Sequence, residues 1–499
     1  MNMNKKKNIK FKILLIITLV TLSIMLSTKV FQNDTFYTIK VGETIVNNGV
    51  DMKEHFAWTK GLEYTYPHWL YDVFIYITYD LFGFFGIYVS TIILALILLT
   101  TMYITSNKII KDKGISYLLV LFISITLKPY ITARAQLVSY ILLLLIVYSI
   151  EMLKENNKKK YILYIVLSSL IIANIHCAVW PFIVILFLPT LTSELIYYIK
   201  NKKNKKQYEL VDNKIIIEKN NNFKNIINSL ILAIFTGFLT PNFLVPFTYL
   251  IKTKQGVTLS HISEHLPQTI TGKPFLFVII GLILFLLLQP KMKIKLNDLF
   301  LFAGLSILAL LSRRSYALFA ILLIFVIGRI VKDYIYNNFK VSFEFILSNS
   351  ISFAVLTCLL ISSCFVVCKY QLKKDYIDST KYPVELSEYI LKEYNLNEIR
   401  IFNEYNFGSY LLYRNIPVFF DSRADLYTEE FNEGCTLFKD GVGLYSKYEE
   451  VFNKYEITHI IIYKTNKLKI VLDLDKNYSQ VYEDDYFIMY HKIDNQQVL

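Results

Sequence analysis

The residues best equipped for acid–base chemistry crowd into one stretch, Gly42–Leu70, which reads GETIVNNGVDMKEHFAWTKGLEYTYPHWL. It holds three acids (Asp51, Glu54, Glu63), two histidines (His55, His68) and two of the chain's three tryptophans. A carboxylate beside an apolar interface takes a raised pKa and can act as general base toward a hydroxyl nucleophile. Glu54 stands next to His55 and Phe56 and close to Trp58, which favours it over Asp51. Asp51 follows Asn47-Asn48-Gly49-Val50 and also suits a turn. Glu63 reads as solvated.

A second set is scattered along the chain: Arg134, Gln136, Asn174, His176, Glu264, His265, Arg313 and Arg314. Arginine presents a planar fork that matches phosphate, whereas lysine is a compact point charge. Arg134, Arg313 and Arg314 therefore form a candidate anion site. The plainer alternative is snorkelling, in which a charged tip simply reaches water. Asn174 and His176 (in ANIHCAVWP) suit helix capping as well as substrate contact, and Glu264 and His265 (in ISEHLP) suit a solvated turn equally.

These residues need a scaffold, and the composition says which kind. The chain has 499 residues, is 54% hydrophobic and has mean hydropathy +0.40. Its apolar runs approach the length that crosses a bilayer. Net charge is +13, but residues 1–368 carry 37 Lys+Arg against 18 Asp+Glu, and residues 369–499 carry 16 against 22. The lysine clusters lie between apolar runs, so they are topology signals and not a nucleic-acid footprint. Five cysteines without a CxxC pair give neither a zinc site nor a disulfide framework.

About eleven transmembrane helices are expected, at 11–29, 84–105, 115–128, 135–153, 161–177, 180–199, 225–240, 273–289, 298–311, 315–331 and 344–368. The segment 69–82 is too short to span and carries Asp72 and Asp80, so it is expected to lie in the interface. With that assignment the lysine clusters fall inside, the N-terminus is cytoplasmic and the tail is extracytoplasmic. The expected division is a multi-span domain over 1–368, including the outer loop and interfacial helix at 31–83, and a small α/β domain over 369–499. In the tail, helices are expected at 383–394, 408–413 and 448–455, and strands at 399–402, 418–421, 458–463 and 486–490.

Walker A, GxSxG and HExxH patterns are absent from the sequence, so ATP-driven transport, serine hydrolysis and zinc proteolysis lack their usual marks. The order of several stretches is informative: NNGVDMKEHFAWT with YPHWL, then ARAQLVSY, ANIHC, LTPN, ISEHLP, SRRSYALF and IFNEYNFGSYLLYRNIPVFFDSRADLY. In this order the chain resembles a family of uncharacterised bacterial multi-span proteins related to the GT-C class of membrane glycosyltransferases.

The resemblance implies a GT-C-like α-helical polytopic membrane protein of the bacterial plasma membrane. It implies a polyprenyl-phosphate-linked sugar as donor and an unknown glycan, lipid or protein acceptor. The first outer loop would supply the catalytic acid, here Glu54 with Asp51 second. Arg134, Arg313 and Arg314 would hold the donor phosphate, with Gln136, Asn174, His176, Glu264, His265 and His68 nearby. His68 stands where the family pattern has an acid. No cofactor is implied, since the protein's own cations can stabilise a departing phosphate, though a divalent metal remains compatible. Two rival readings are a lipid or glycan flippase and an inactive envelope-assembly protein of the same fold.

Overall fold

The computed structural model describes residues 2–59, 61–201, 209–212, 214–255, 262–339, 341–427, 429–439 and 444–493. The lysines at 202, 203, 205 and 206 lie outside the described residues. The chain forms two compact units. One comprises residues 1–28, 88–247 and 263–373, and the other 29–87, 248–262 and 374–499. The outer stretch expected to belong with 1–368 thus groups with the tail.

The first unit is built from apolar helices. They are α1 (Asn2–Leu26) and, after α2 (Asn33–Asn48) of the second unit, the later part of α3 (Trp69–Ile110). Next come α4 (Lys113–Thr126), α5 (Ala135–Asn156), α6 (Lys159–Ile175), α7 (Phe182–Asn201) and α8 (Phe223–Thr236). After α9 (Val245–Gln255) follow α10 (Pro274–Leu288), α11 (Leu296–Leu311), α12 (Tyr316–Leu322), α13 (Ile324–Asn338), α14 (Phe343–Leu347) and α15 (Ser350–Leu372).

Among the described residues five helices are long and apolar enough to cross a membrane, and the pair α12–α13, bent by 52°, makes a sixth if taken as one span. These six cover the spans expected at 11–29, 84–105, 135–153, 180–199, 315–331 and 344–368. The other five expected spans fall on helices of 14 to 17 residues. Local chemistry sets the ends. Asp112 caps α4 by accepting from Ile115 N at 2.8 Å, and α5 stops at Asn157 in the left-handed region (φ 48°). Near the lysine-rich ends, Arg329 is held between Asp298 (Nε to Oδ2, 2.8 Å) and Glu151 (Nη1 to Oε2, 3.0 Å).

In the second unit α3 begins at Trp69 and breaks at Gly83, whose φ of 60° and ψ of −158° only glycine adopts without strain. The break stands where the expected interfacial segment ends. Helix α2 was not expected, and it absorbs residues 42–48 of the stretch read as loop. It packs on the first part of α3 through Gly42, where an added Cβ would lie 2.1 Å from the Asp72 carbonyl oxygen. A mid-helix glycine looks like a breaker in sequence, and here it permits close approach of two backbones.

The tail supplies a four-stranded sheet of order β4-β5-β7-β6. Here β4 is Ile401–Asn403, β5 His459–Tyr463, β6 Tyr478–Glu483 and β7 Phe487–Lys492; β1 (Glu209–Asp212), β2 (Ile215–Glu218) and β3 (Ile294–Lys295) belong to the first unit. Strand β4 pairs parallel with β5, and β5 and β6 pair antiparallel with β7. Helices α16 (Val384–Glu393), α17 (Tyr405–Tyr413), α18 (Glu429–Lys439), α19 (Leu444–Lys454) and α20 (Leu468–Leu474) complete it. Phe402, Phe419, Phe420, Phe452, Ile460 and Tyr490 form the core, and Trp58 and Leu62 pack against it. The expected strand at 418–421 is a correction: only Val418 makes a β-bridge, to Ala57, and the polar residues after it turn into a buried loop.

Candidate functional site

The acid loop runs from Gly49 to His68 between α2 and α3. Gly49, Met52, Gly61 and Tyr66 all have positive φ, so the backbone doubles back repeatedly. Lys53 bridges Glu63 in antiparallel fashion, and Trp58 donates its indole N–H to the Ile401 carbonyl at 3.0 Å.

Within this loop the two leading acids have opposite surroundings. The Glu54 side chain is 3% exposed. Its Oε1 accepts from the backbone of Phe56 (2.7 Å) and Ala57 (2.8 Å) and from Arg423 Nη2 (3.0 Å), while Oε2 accepts from Arg423 Nη1 (2.6 Å). Arg423 is in turn gripped by Asp421 through Nε (2.9 Å) and Nη2 (2.6 Å), and Tyr427 donates to Asp421 at 2.6 Å. The guanidinium lies 4.9 Å from the Tyr64 ring centre and 5.0 Å from that of Phe56. Burial alone would lower the Arg423 pKa, but the charges of Asp421 and Glu54 hold it well above its ordinary value. A carboxylate so enclosed and so fully engaged is a tether between loop and tail.

Asp51 keeps contact with solvent, its side chain 27% exposed and that of His55 31%. Oδ2 meets His55 Nε2 at 2.8 Å, and Oδ1 accepts from Tyr66 OH (2.9 Å) and Lys53 N (3.1 Å). Burial works against its charge, but these hydrogen bonds and the nearby His55 keep its pKa below the ordinary 3.8. An ordered, accessible carboxylate beside a histidine can accept a proton from a hydroxyl. His68 contributes its carbonyl to the start of α3, accepting from Tyr71 N (2.8 Å) and Asp72 N (3.0 Å).

The first unit gathers most of the scattered set. Arg134 stands just ahead of α5 and pairs with Glu264 (3.2 Å), which lies 130 residues away in a short helical turn. Gln136, the second residue of α5, accepts from Arg314 Nε at 2.7 Å when its amide is turned to face that side chain with oxygen. Backbone bonds stitch two of these segments together: Arg313 N to Leu266 O (3.1 Å) and Gln268 N to Leu310 O (2.9 Å). Tyr130 donates to the Arg313 carbonyl at 3.1 Å and stacks on Tyr316 with centres 5.8 Å apart. Lys273 sits over both rings, at 5.3 and 5.2 Å. Burial would raise the Glu264 pKa, but Arg134, Arg314 and His265 hold it below the ordinary 4.5, whereas burial lowers that of Lys273.

Arg134, Gln136, Glu264, His265, Arg313 and Arg314 therefore share one neighbourhood, in which Arg134 and Arg314 both act on the Glu264 carboxylate and Lys273 lies over the adjoining tyrosine rings. His176 reaches it indirectly, its Nδ1 2.9 Å from Ser139 Oγ on α5. Asn174 instead ties the end of α6 to the Leu239 carbonyl (3.0 Å). Asp51, Glu54 and His68 belong to the other unit. Sequence reasoning missed Lys273, Tyr130 and Tyr316, which carried no signal beyond lying near helix ends. The pairing of Glu54 with Arg423, 369 residues away, carried no local signal either. Among the described residues no three His, Cys, Asp or Glu side chains gather closely enough to hold a metal ion.

No protein-family model and no curated protein sequence matches the chain. By structure it is similar to the Archaeoglobus fulgidus oligosaccharyltransferase in the apo form, with a TM-score of 0.51 and 13% identity, covering 91% of this chain and 69% of that one. It is also similar to ArnT from Cupriavidus metallidurans bound to undecaprenyl phosphate, with a TM-score of 0.55 and 9% identity, covering 98% of each chain. At such identities the likeness is one of fold.

Proposed function

We propose that this chain is a membrane glycosyltransferase that moves a sugar from a polyprenyl-phosphate donor to an envelope acceptor at the outer face of a bacterial plasma membrane. The observation that carries the reading is that Arg134 and Arg314, from separate segments, act together on Glu264, with Arg313 and Lys273 on the adjoining stretches, in a chain of GT-C fold. The ArnT structure holds undecaprenyl phosphate, which supports a lipid phosphate as the anion here. Eleven spans, a cytoplasmic N-terminus and an extracytoplasmic tail complete the proposal, supported by the lysine distribution.

In the proposed step the acceptor hydroxyl oxygen attacks the anomeric carbon. The bond from that carbon to the phosphate oxygen breaks, and its electron pair leaves on the lipid phosphate. The arginines stabilise the growing negative charge of that leaving group, without a metal. The hydroxyl proton passes to a loop carboxylate. Of the two sequence candidates, Asp51 has the accessible geometry, and Glu54 holds the loop that presents it. Its low pKa makes Asp51 a weak base, so the proton moves late, once bond formation has acidified the hydroxyl.

The test is transfer from labelled polyprenyl-phosphate sugars by the purified protein in lipid nanodiscs. Arg314→Gln is expected to raise the donor KM about tenfold, the loss of one charge-assisted contact. A carrier of the same fold would bind or translocate the donor and leave the sugar on it.

A further inference from the structure

The second unit contains an open cleft of about 430 Å³ that shares no residue with the acid loop. One wall is α2, with Lys40 and Glu43, and another is the first part of α3, with Tyr76, Tyr79 and Asp80. The tail closes it with Tyr413, Arg414 and Asn415. Its size lies within the range of small-molecule sites, about 300–1,000 Å³.

Charge and hydrogen bonding narrow what such a cleft accepts. Lys40 pairs with Glu43, and Arg414 pairs with Glu388 (2.7 Å) and also reaches Ser387 Oγ (3.3 Å). Both cations are therefore compensated, and Asp80 leaves the cleft slightly negative, which disfavours a phosphate. Tyr79 and Tyr413 bond to each other through their hydroxyls at 2.5 Å, so their rings are fixed in place. Among the described residues neither the Asp80 carboxylate nor the Tyr76 hydroxyl has a hydrogen-bond or ion-pair partner. Fixed tyrosine rings beside a carboxylate and a hydroxyl open to the cleft suit a ring with an apolar C–H face and hydroxyl edges.

We propose that this cleft binds an uncharged pyranose, the sugar unit of the acceptor. The acceptor role rests on the transferase reading, whereas the binding stands on the cleft alone. The α3 segment in its wall turns Phe74, Ile77, Leu81 and Phe82 outward, each at least 42% exposed. That spacing makes one apolar face, suited to the membrane interface, and a sugar in the cleft would then ride one helix layer from the lipid surface.

The experiment uses the full chain in nanodiscs, with methyl β-D-glucopyranoside and N-acetyl-D-glucosamine as probes in saturation-transfer NMR. Wild type is expected to show contact with at least one probe. Tyr76→Phe with Asp80→Ala is expected to weaken it about tenfold, from two lost hydrogen bonds, with an unchanged melting temperature. Arg314→Gln is expected to leave the contact intact. No contact in wild type, equal contact in the double variant, or displacement by inorganic phosphate or ethanolamine would overturn the proposal. Saccharide contact in a wild type that transfers no sugar would sink the transferase reading and leave the cleft standing.

Discussion

At the scale of single residues, two carboxylates three positions apart do different work because one is enclosed and one is not. Glu54 meets Arg423 with both oxygens, and Asp51 meets His55 at the surface. Breaking a buried pair by removing one partner costs about 3–5 kcal/mol. Glu54→Ala is therefore expected to lower the melting temperature sharply, and Asp51→Asn to leave it near wild type while lowering kcat by about 10²–10⁴-fold. Thermal melts beside single-turnover transfer separate the two, and a stable but inactive Glu54→Gln would return the base role to Glu54. The depressed Asp51 pKa sets the sign of the pH effect: the base form persists through mildly acid pH, and activity falls only as pH drops below 3.8. A pH–rate profile breaking near neutrality would point to another group. The Glu54–Arg423 pair was not legible in the sequence, because nothing local links residues 369 positions apart.

At the scale of elements, close packing and buried titrating groups make the second unit sensitive to small changes. An added Cβ at Gly42 would lie 2.1 Å from the Asp72 carbonyl oxygen and 2.6 Å from Tyr76 Cβ, and the first of these is backbone that cannot rotate away. Gly42→Val is expected to cost about 1–3 kcal/mol or more and to part α2 from α3, seen as lost amide protection in both. Within the sheet two groups titrate in opposite senses. Burial, with the neighbouring His491, lowers the pKa of His459 to about 4, and burial raises that of Glu404 to about 7. As pH falls from 6.5 to 4 the unfolded chain takes up a proton that His459 refuses, so stability drops. As pH falls from 7 to 4.5 the folded chain binds a proton at Glu404 first, so stability rises. Hydrogen exchange of β5 amides is expected to change little over that window in wild type, to show falling protection on acidification in Glu404→Gln, and rising protection in His459→Gln. The same trend in both variants would refute the assignment. The sheet strands were legible from their apolar runs, but residues 418–421 look like a strand and fold as a buried loop because Asp421 must face Arg423.

At the scale of the whole molecule, run length and lysine placement made the helical plan legible. The break at Gly83 could be anticipated because a 14-residue segment with two acids cannot span, and the helices at the other expected spans follow from their apolar length. What stayed hidden was which distant segments meet, as with Arg134 and Glu264. The proposed orientation puts Lys392, with its side chain 83% exposed, outside the cell. Lys392→Cys is expected to react with a membrane-impermeant maleimide on intact cells above the wild-type background, and protection until lysis would reverse the topology. The most direct measurement is transfer itself: purified wild type in nanodiscs, supplied with labelled polyprenyl-phosphate sugars and a membrane-derived acceptor extract, compared with Arg314→Gln and Asp51→Asn. The account predicts label moving to an acceptor in wild type, recovery of Arg314→Gln at raised donor concentration, and no such recovery in Asp51→Asn. Intact donor after incubation with folded wild type, or equal transfer by all three proteins, would contradict it.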